Sequence, residues 1–225
     1  MVPWVFLGSA KAPGDGEVLG LYQRGGEFCI RVNNHQLMDS QVYGSEEALA
    51  ELACARISKR PGARVLIGGL GMGFTAGAAL QHLGADSHVV VAELVPEVVE
   101  WNRGPLAALA GYPLADPRLT VREIDVAEVL RTEQSAYDAI LLDVDNGPEG
   151  LTRKGNDWLY AQVGLNAAHA ALRPAGVLAV WSAKPNRAFA NRLRTVGFTM
   201  DELKVRARGK RGGPHHIIWL AQRGT

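Results

Sequence analysis

The chain has 225 residues, of which 47% are hydrophobic and 21% charged, enough for one full α/β domain with a sizeable core and a small appendage. A formal net charge of +1 gives no overall attraction to nucleic acid or to a membrane surface. Two cysteines, Cys29 and Cys54, are too few for a disulfide framework and lack metal-ligand spacing, so a reducing, cytoplasmic setting is expected.

The opening Met1-Val2-Pro3-Trp4-Val5-Phe6-Leu7 lacks the basic start of a secretion signal, and no run reaches ~18 uninterrupted apolar residues, so a soluble chain is expected. Residues 17–23, 27–32 and 35–39 read as short strands separated by Gly25-Gly26 and Asn33-Asn34 turns, a β-hairpin region over 1–44. Ser45, with Glu46 and Glu47, starts a helix with apolar Leu49, Leu52 and Ile57 that runs to the stop Lys59-Arg60-Pro61-Gly62. From there strands at 64–68, 88–93, 118–123, 138–143 and 176–182 alternate with helical patterns at 74–83, 96–110, 126–131 and 156–172. That rhythm predicts a Rossmann-like, doubly wound, mostly parallel sheet over 45–225. Two last strand-like runs, 202–208 and 215–222, are joined by Gly209-Lys210-Arg211-Gly212-Gly213-Pro214 and predict a closing antiparallel hairpin.

The most informative stretch is Arg64-Val65-Leu66-Ile67-Gly68-Gly69-Leu70-Gly71-Met72-Gly73-Phe74-Thr75, an apolar strand that breaks into alternating glycines just before a helix. Gly69, Gly71 and Gly73 let backbone approach a ligand closely, and the helix start offers unpaired N–H groups. The next apolar strand ends in Glu93, near the ~20-residue offset at which an acid accepts from ribose hydroxyls. In an open sheet of this kind ligands sit at the carboxyl ends of the strands. The third such end brings Asp125, which either accepts from an adenine amino group or caps the following helix. The fourth is Asp143-Val144-Asp145-Asn146-Gly147-Pro148, where chemistry is expected, although helix caps and turns also favour such acids.

The order of glycine loop, Glu93, Asp125 and an acidic fourth strand end is similar to class I S-adenosylmethionine-dependent transferases. Gln36-Leu37-Met38-Asp39, Ser45-Glu46-Glu47 and the 143–148 loop narrow it: over roughly residues 17–183 the chain resembles the spermidine synthase family. The resemblance implies transfer of an aminopropyl group from decarboxylated S-adenosylmethionine to putrescine or a similar amine, releasing methylthioadenosine. It makes Asp143 the catalytic acid, which receives a proton from, or hydrogen-bonds, the attacking nitrogen. Asp145, Gln36 and Tyr160 become candidates for amine binding, and Gly69, Gly71, Gly73, Glu93 and Asp125 for the nucleoside, with the donor a co-substrate and no tightly bound cofactor. The chain departs from the family at two places. Gly71 stands where the family's Gly-Gly-Gly-Asp-Gly-Gly loop carries the Asp that pairs with the donor's amine, and the family's Asp-Ser-Ser-Asp becomes Asp143-Val144-Asp145-Asn146.

A methyltransferase on the same fold, using ordinary S-adenosylmethionine, suits the glycine loop and Glu93 equally well. A nucleoside-binding protein without catalysis is the third reading, against which two acids beside a cleft argue, because buried carboxylates seek a cation or a catalytic task. Lys204, Arg206 and Arg208 alternate as on a solvated strand face, which speaks against nucleic acid as a partner. His215 and His216 have no acid or cysteine at metal spacing, so no metal is expected. Trp158 stands with Tyr160 beside the acidic loop, as amine-site wall or core, while Trp101 and Trp181 read as core or pocket wall. The N-terminal strands are the surface left for a homodimer.

Overall fold

In a computed structural model, residues 2–13, 18–33, 35–144, 147–148 and 157–225 are described. Strands β1 (Val5–Lys11), β2 (Val18–Arg24), β3 (Glu27–Val32) and β4 (His35–Asp39) form a four-stranded antiparallel sheet in sequential order. β1 has no counterpart in the sequence reading. Its Val5, Phe6 and Leu7 are all exposed, so the alternation that marks a half-buried strand is missing and only the pairing with β2 defines it.

Helix α1 (Gly44–Ile57) begins one residue before the expected Ser45. Gly44 donates its amide to the Ala207 carbonyl at 2.9 Å, and a Cβ there would lie 2.1 Å from the Gly209 amide nitrogen. The absence of a side chain at 44 thus lets the distant C-terminal turn touch the helix start. Ser45 is accordingly no cap; its hydroxyl donates to Glu46 at 3.2 Å.

The large sheet comprises β5 (Arg64–Gly68), β6 (His88–Glu93), β7 (Leu119–Glu123), β8 (Tyr137–Leu142), β9 (Leu172–Ser182), β10 (Thr199–Arg206) and β11 (His215–Gln222). Its order is β10-β11-β9-β8-β5-β6-β7, parallel from β9 to β7, with β11 and β10 added antiparallel at one edge. The connections hold α2 (Phe74–His82), α3 (Pro96–Arg103), α4 (Val126–Thr132), α5 (Asp157–Tyr160), α6 (Gln162–Ala171) and α7 (Arg187–Val196).

Several elements differ from expectation. The helix expected over 96–110 stops at Arg103, followed by a 3-10 turn over Ala107–Ala110. The one expected over 156–172 is broken at Ala161, whose ψ of 163° is extended, and β9 takes up its last residue. Helix α7 was not anticipated, although both ends are written locally: Asn186 caps it by accepting from the Phe189 amide at 2.8 Å, and Gly197 closes it at φ +105°.

Strand periodicity divides the interior in two. Val65, Ile67, Ala139 and Leu141 join one core with α1 and α2, and Leu66, Ile140 and Leu142 join the other with α4 and α6. All six residues of β8 are buried, as a central parallel strand covered on both faces requires. Leu21, Phe28 and Ile30 of the small sheet belong to the first of these cores, so the 1–44 region shares apolar packing with the rest. No helix among the described residues is long and apolar enough to cross a membrane.

Candidate active site

From β5 the chain moves outward through β6 and β7, then returns with β8 on the other side of β5. Such a reversal opens a crevice beyond the carboxyl ends of the two strands where the order switches. The Asp143 amide, just past β8, donates to the Gly68 carbonyl at 3.1 Å. A Cβ on Gly69 would lie 2.6 Å from the Asp143 carbonyl oxygen, and Gly69 adopts φ +87°, so both space and backbone demand glycine there.

The loop after β5 is held from below. Glu93, 8% exposed, accepts the Leu70 amide on Oε2 and the Val95 amide on Oε1, each at 2.8 Å. Burial pushes its carboxyl above the usual range, while amides at Leu70, Val95, Leu94 and Gly71 act in the opposite sense. Asn102 of α3 adds a third tie, donating Nδ2 to the carbonyls of Gly71 at 2.8 Å and Val98 at 2.9 Å.

Above this loop lies an open cavity of about 140 Å³. Gly69, Gly71 and Glu93 border it on the sheet side, Ile124, Asp125 and Val126 at one end, and Ile30, Val32, Leu37 and Met38 of the small sheet from above. Apolar walls with a few carboxylates suit a nucleoside, whose base needs flat apolar surfaces and whose ribose hydroxyls need acceptors. Asp143 stands where this cavity meets a narrow second one of about 10 Å³, bordered by Asp39, Glu46, Phe74 and Thr75. Its Oδ2 accepts the Thr75 hydroxyl at 2.6 Å. Burial raises the Asp143 carboxyl above the carboxylate range, against that hydrogen bond, and burial followed by the charge of Asp143 raises Glu46 likewise. Two acids that cannot both shed their protons cheaply form a pair ready to take a proton or to meet a cation.

The expected site residues fall into distinct places. Gly69, Gly71, Glu93, Asp125 and Asp143 all border the larger cavity. Asp125 caps α4, its Oδ1 accepting the Ala127 amide at 2.8 Å, and also borders the cavity. Gly73, at φ +83°, borders neither cavity; a Cβ there would meet Asn102 Oδ1 at 2.9 Å, so it serves packing of the loop on α3. Gln36 is exposed and approaches Asp39 at 3.4 Å, while its neighbours Leu37 and Met38 face the cavity. Tyr160 is buried in the second core and supports the acidic loop indirectly, its hydroxyl donating to the Val144 carbonyl at 3.0 Å. Asp145 lies outside the described residues. Trp181 packs against the first core, Trp101 is buried in it, and Trp158 lies against the second. Glu46, Thr75 and Asn102 escaped the sequence reading, Glu46 because an acid in a first helical turn already has a reason in the helix dipole.

The architecture is the methyltransferase-like α/β fold, with its crevice at the β5/β8 switch. No protein-family model matches the chain. Among curated proteins, polyamine aminopropyltransferase 2 of Pseudomonas aeruginosa is 34% identical over 143 residues, 59% of this chain and 39% of that protein. Polyamine aminopropyltransferase 1 of Streptomyces coelicolor is 29% identical over 153 residues, 64% of this chain and 28% of that protein. The matches therefore span well under half the length of these curated relatives. Among solved structures, the spermidine synthase from Thermotoga maritima aligns with a TM-score of 0.77 at 17% identity, covering 97% of this chain and 73% of that one. A spermidine synthase in complex with the transition-state analogue AdoDATO gives 0.75 at 17% identity, covering 97% and 72%. The chain has the fold of these spermidine synthases and is similar over part of its length to polyamine aminopropyltransferases.

Proposed function

We propose that the chain binds decarboxylated S-adenosylmethionine as a co-substrate, without a tightly held cofactor, and transfers its aminopropyl group to a small amine. The observation that carries this reading is the place of Asp143, at the junction of a mostly apolar cavity and a smaller acidic one. Adenosine in the larger cavity, with ribose at Glu93 and base beside Asp125, would bring the sulfonium to that junction. The attacking nitrogen forms a bond to the propyl carbon, the carbon–sulfur bond breaks, and its electron pair leaves sulfur as the neutral thioether of methylthioadenosine. An ammonium has no lone pair for this attack, so one proton must leave the amine first. Asp143, oriented by Thr75 and with its proton affinity raised by burial, is the acceptor we assign. Because the sulfonium carbon is already activated, alignment supplies much of the remaining acceleration.

We further place the reaction in the reducing cytoplasm, where Cys29 and Cys54, both buried and free, need no oxidation. The apolar face around Val5, Phe6 and Val18 is the surface we assign to a homodimer.

Incubation with each donor and a panel of diamines, with mass spectrometry of the nucleoside product, tests the reading. Methylthioadenosine is expected from the decarboxylated donor. S-adenosylhomocysteine from the ordinary donor would replace the proposal by a methyltransferase, and no product from either would replace it by a non-catalytic binder. Asp143→Asn should retain methylthioadenosine binding while turnover falls roughly 10²–10⁴-fold, the range for loss of a general base.

A further inference from the structure

The glycine loop has no acid to meet the donor's ammonium, and a side chain at Gly71 would have to displace the end of Met38. A Cβ on Gly71, which sits at φ +53°, would lie 2.9 Å from Met38 Cε and 3.1 Å from its sulfur. The Met38 thioether thus fills the loop side of the smaller cavity. The first turn of α1 also lines this cavity and brings Glu46 to it. The Glu46 side chain is held in turn: Oε2 accepts the Ser45 hydroxyl at 3.2 Å, and Ser45 Oγ meets His216 Nδ1 of β11 at 2.9 Å. His216 rests edge-on against Trp181, ring centroids 4.7 Å apart. The carboxylate is therefore set by the C-terminal hairpin and not by the loop.

The smaller cavity has three acids, Asp39, Glu46 and Asp143, and no lysine, arginine or histidine among its described lining residues. It shares Met38, Gly71 and Asp143 with the larger one, so the two adjoin at the place assigned above to the sulfonium. An ammonium tail gains from both carboxylates there. A tail that also carries an α-carboxylate meets like charge and no cation.

We propose that Glu46 is the ammonium partner of the donor and the residue that selects the decarboxylated donor over S-adenosylmethionine, the acid having moved from the glycine loop to α1. The inference rests on the aminopropyl-transfer reading and adds to it the residue that discriminates between donors. The burial-raised proton affinity of Glu46 accords with a carboxylate that awaits a cation.

Calorimetric titration of wild type and Glu46→Gln with methylthioadenosine, decarboxylated S-adenosylmethionine and S-adenosylmethionine tests it. Methylthioadenosine lacks the ammonium, so its affinity should stay within about twofold. The decarboxylated donor should weaken tenfold or more, and the preference over the carboxylated donor should collapse. Unchanged affinity for the decarboxylated donor, or an equal loss for methylthioadenosine, would overturn the assignment while leaving the aminopropyl-transfer reading intact. A wild type that binds none of the three would overturn both. Should Glu46→Gln fail to fold, Ser45→Ala reads the same contact: a smaller loss confined to the decarboxylated donor supports the proposal, and an equal loss for all three ligands refutes it.

Discussion

Glu93 holds the glycine loop with both carboxylate oxygens while facing the cavity where ribose is expected. Its replacement therefore acts twice. In Glu93→Ala the buried amides of Leu70 and Val95 lose their acceptors, at about 1–3 kcal/mol for each donor left unpaired. Thermal unfolding should shift down by several degrees and methylthioadenosine affinity should fall tenfold or more. In Glu93→Gln the remaining amide oxygen keeps one acceptor, so the thermal loss should be smaller. An unshifted transition in Glu93→Ala would show that the loop is held by Asn102 and its own turns alone. That an acid would stand at this strand end was legible from its spacing after the glycines. Its bonds to Leu70 and Val95 were not, because they depend on how the loop folds back over β6. The same limit explains Gln36 and Met38: a strand has two faces, and which one meets the cavity depends on how the small sheet lies over the large one.

At the scale of elements, the start of α1, the start of α2 and the end of β8 come together as one acidic pair supported by Thr75. Glu46 and Asp143 are both raised, so the folded chain keeps protons that the unfolded chain has released. Their contribution to stability is full below the unfolded carboxylate range, near ~4, and is lost as pH rises through the elevated values. The half-buried His216, whose proton affinity is lowered, changes in the opposite sense near neutrality, so the difference between wild type and a variant is the informative quantity. Denaturant unfolding between about pH 6 and 9 should show wild type losing stability relative to Glu46→Gln as pH rises, since the variant removes the like charge. A wild type that holds or gains stability relative to the variant as pH rises would contradict the pairing. The sequence displayed each acid singly; the pair exists because residues 46 and 143 arrive from different elements. Helix ends follow the same division. Asn186 and Gly197 write the limits of α7 locally, whereas the break at Ala161 has no such marker.

The whole molecule separates an end that holds the sheet from the end that carries the candidate site. Asp138, 2% exposed at the amino end of β8, accepts from Arg60 at 2.6 Å and from Arg173 and the Arg64 amide, both at 2.8 Å. It ties the segment after α1 to β5, β8 and β9, away from the carboxyl-end crevice. Asp138→Ala leaves a buried amide and two partly exposed guanidiniums without their acceptor, costing about 3 kcal/mol once solvent around the arginines is allowed for. Thermal unfolding should move down markedly while methylthioadenosine affinity stays unchanged; a matching loss of affinity would refute the independence of the two ends. From the sequence alone came the alternation of strand and helix, the glycine loop and the acids at the strand ends, because hydrophobic period and backbone freedom are local properties written in neighbouring residues. Only the tertiary structure decided that Met38 closes the loop side, that Glu46 faces Asp143, and that a C-terminal histidine orients them through Ser45. Those relations join residues about 30 to 170 positions apart, and chain packing rather than local preference brings such residues together.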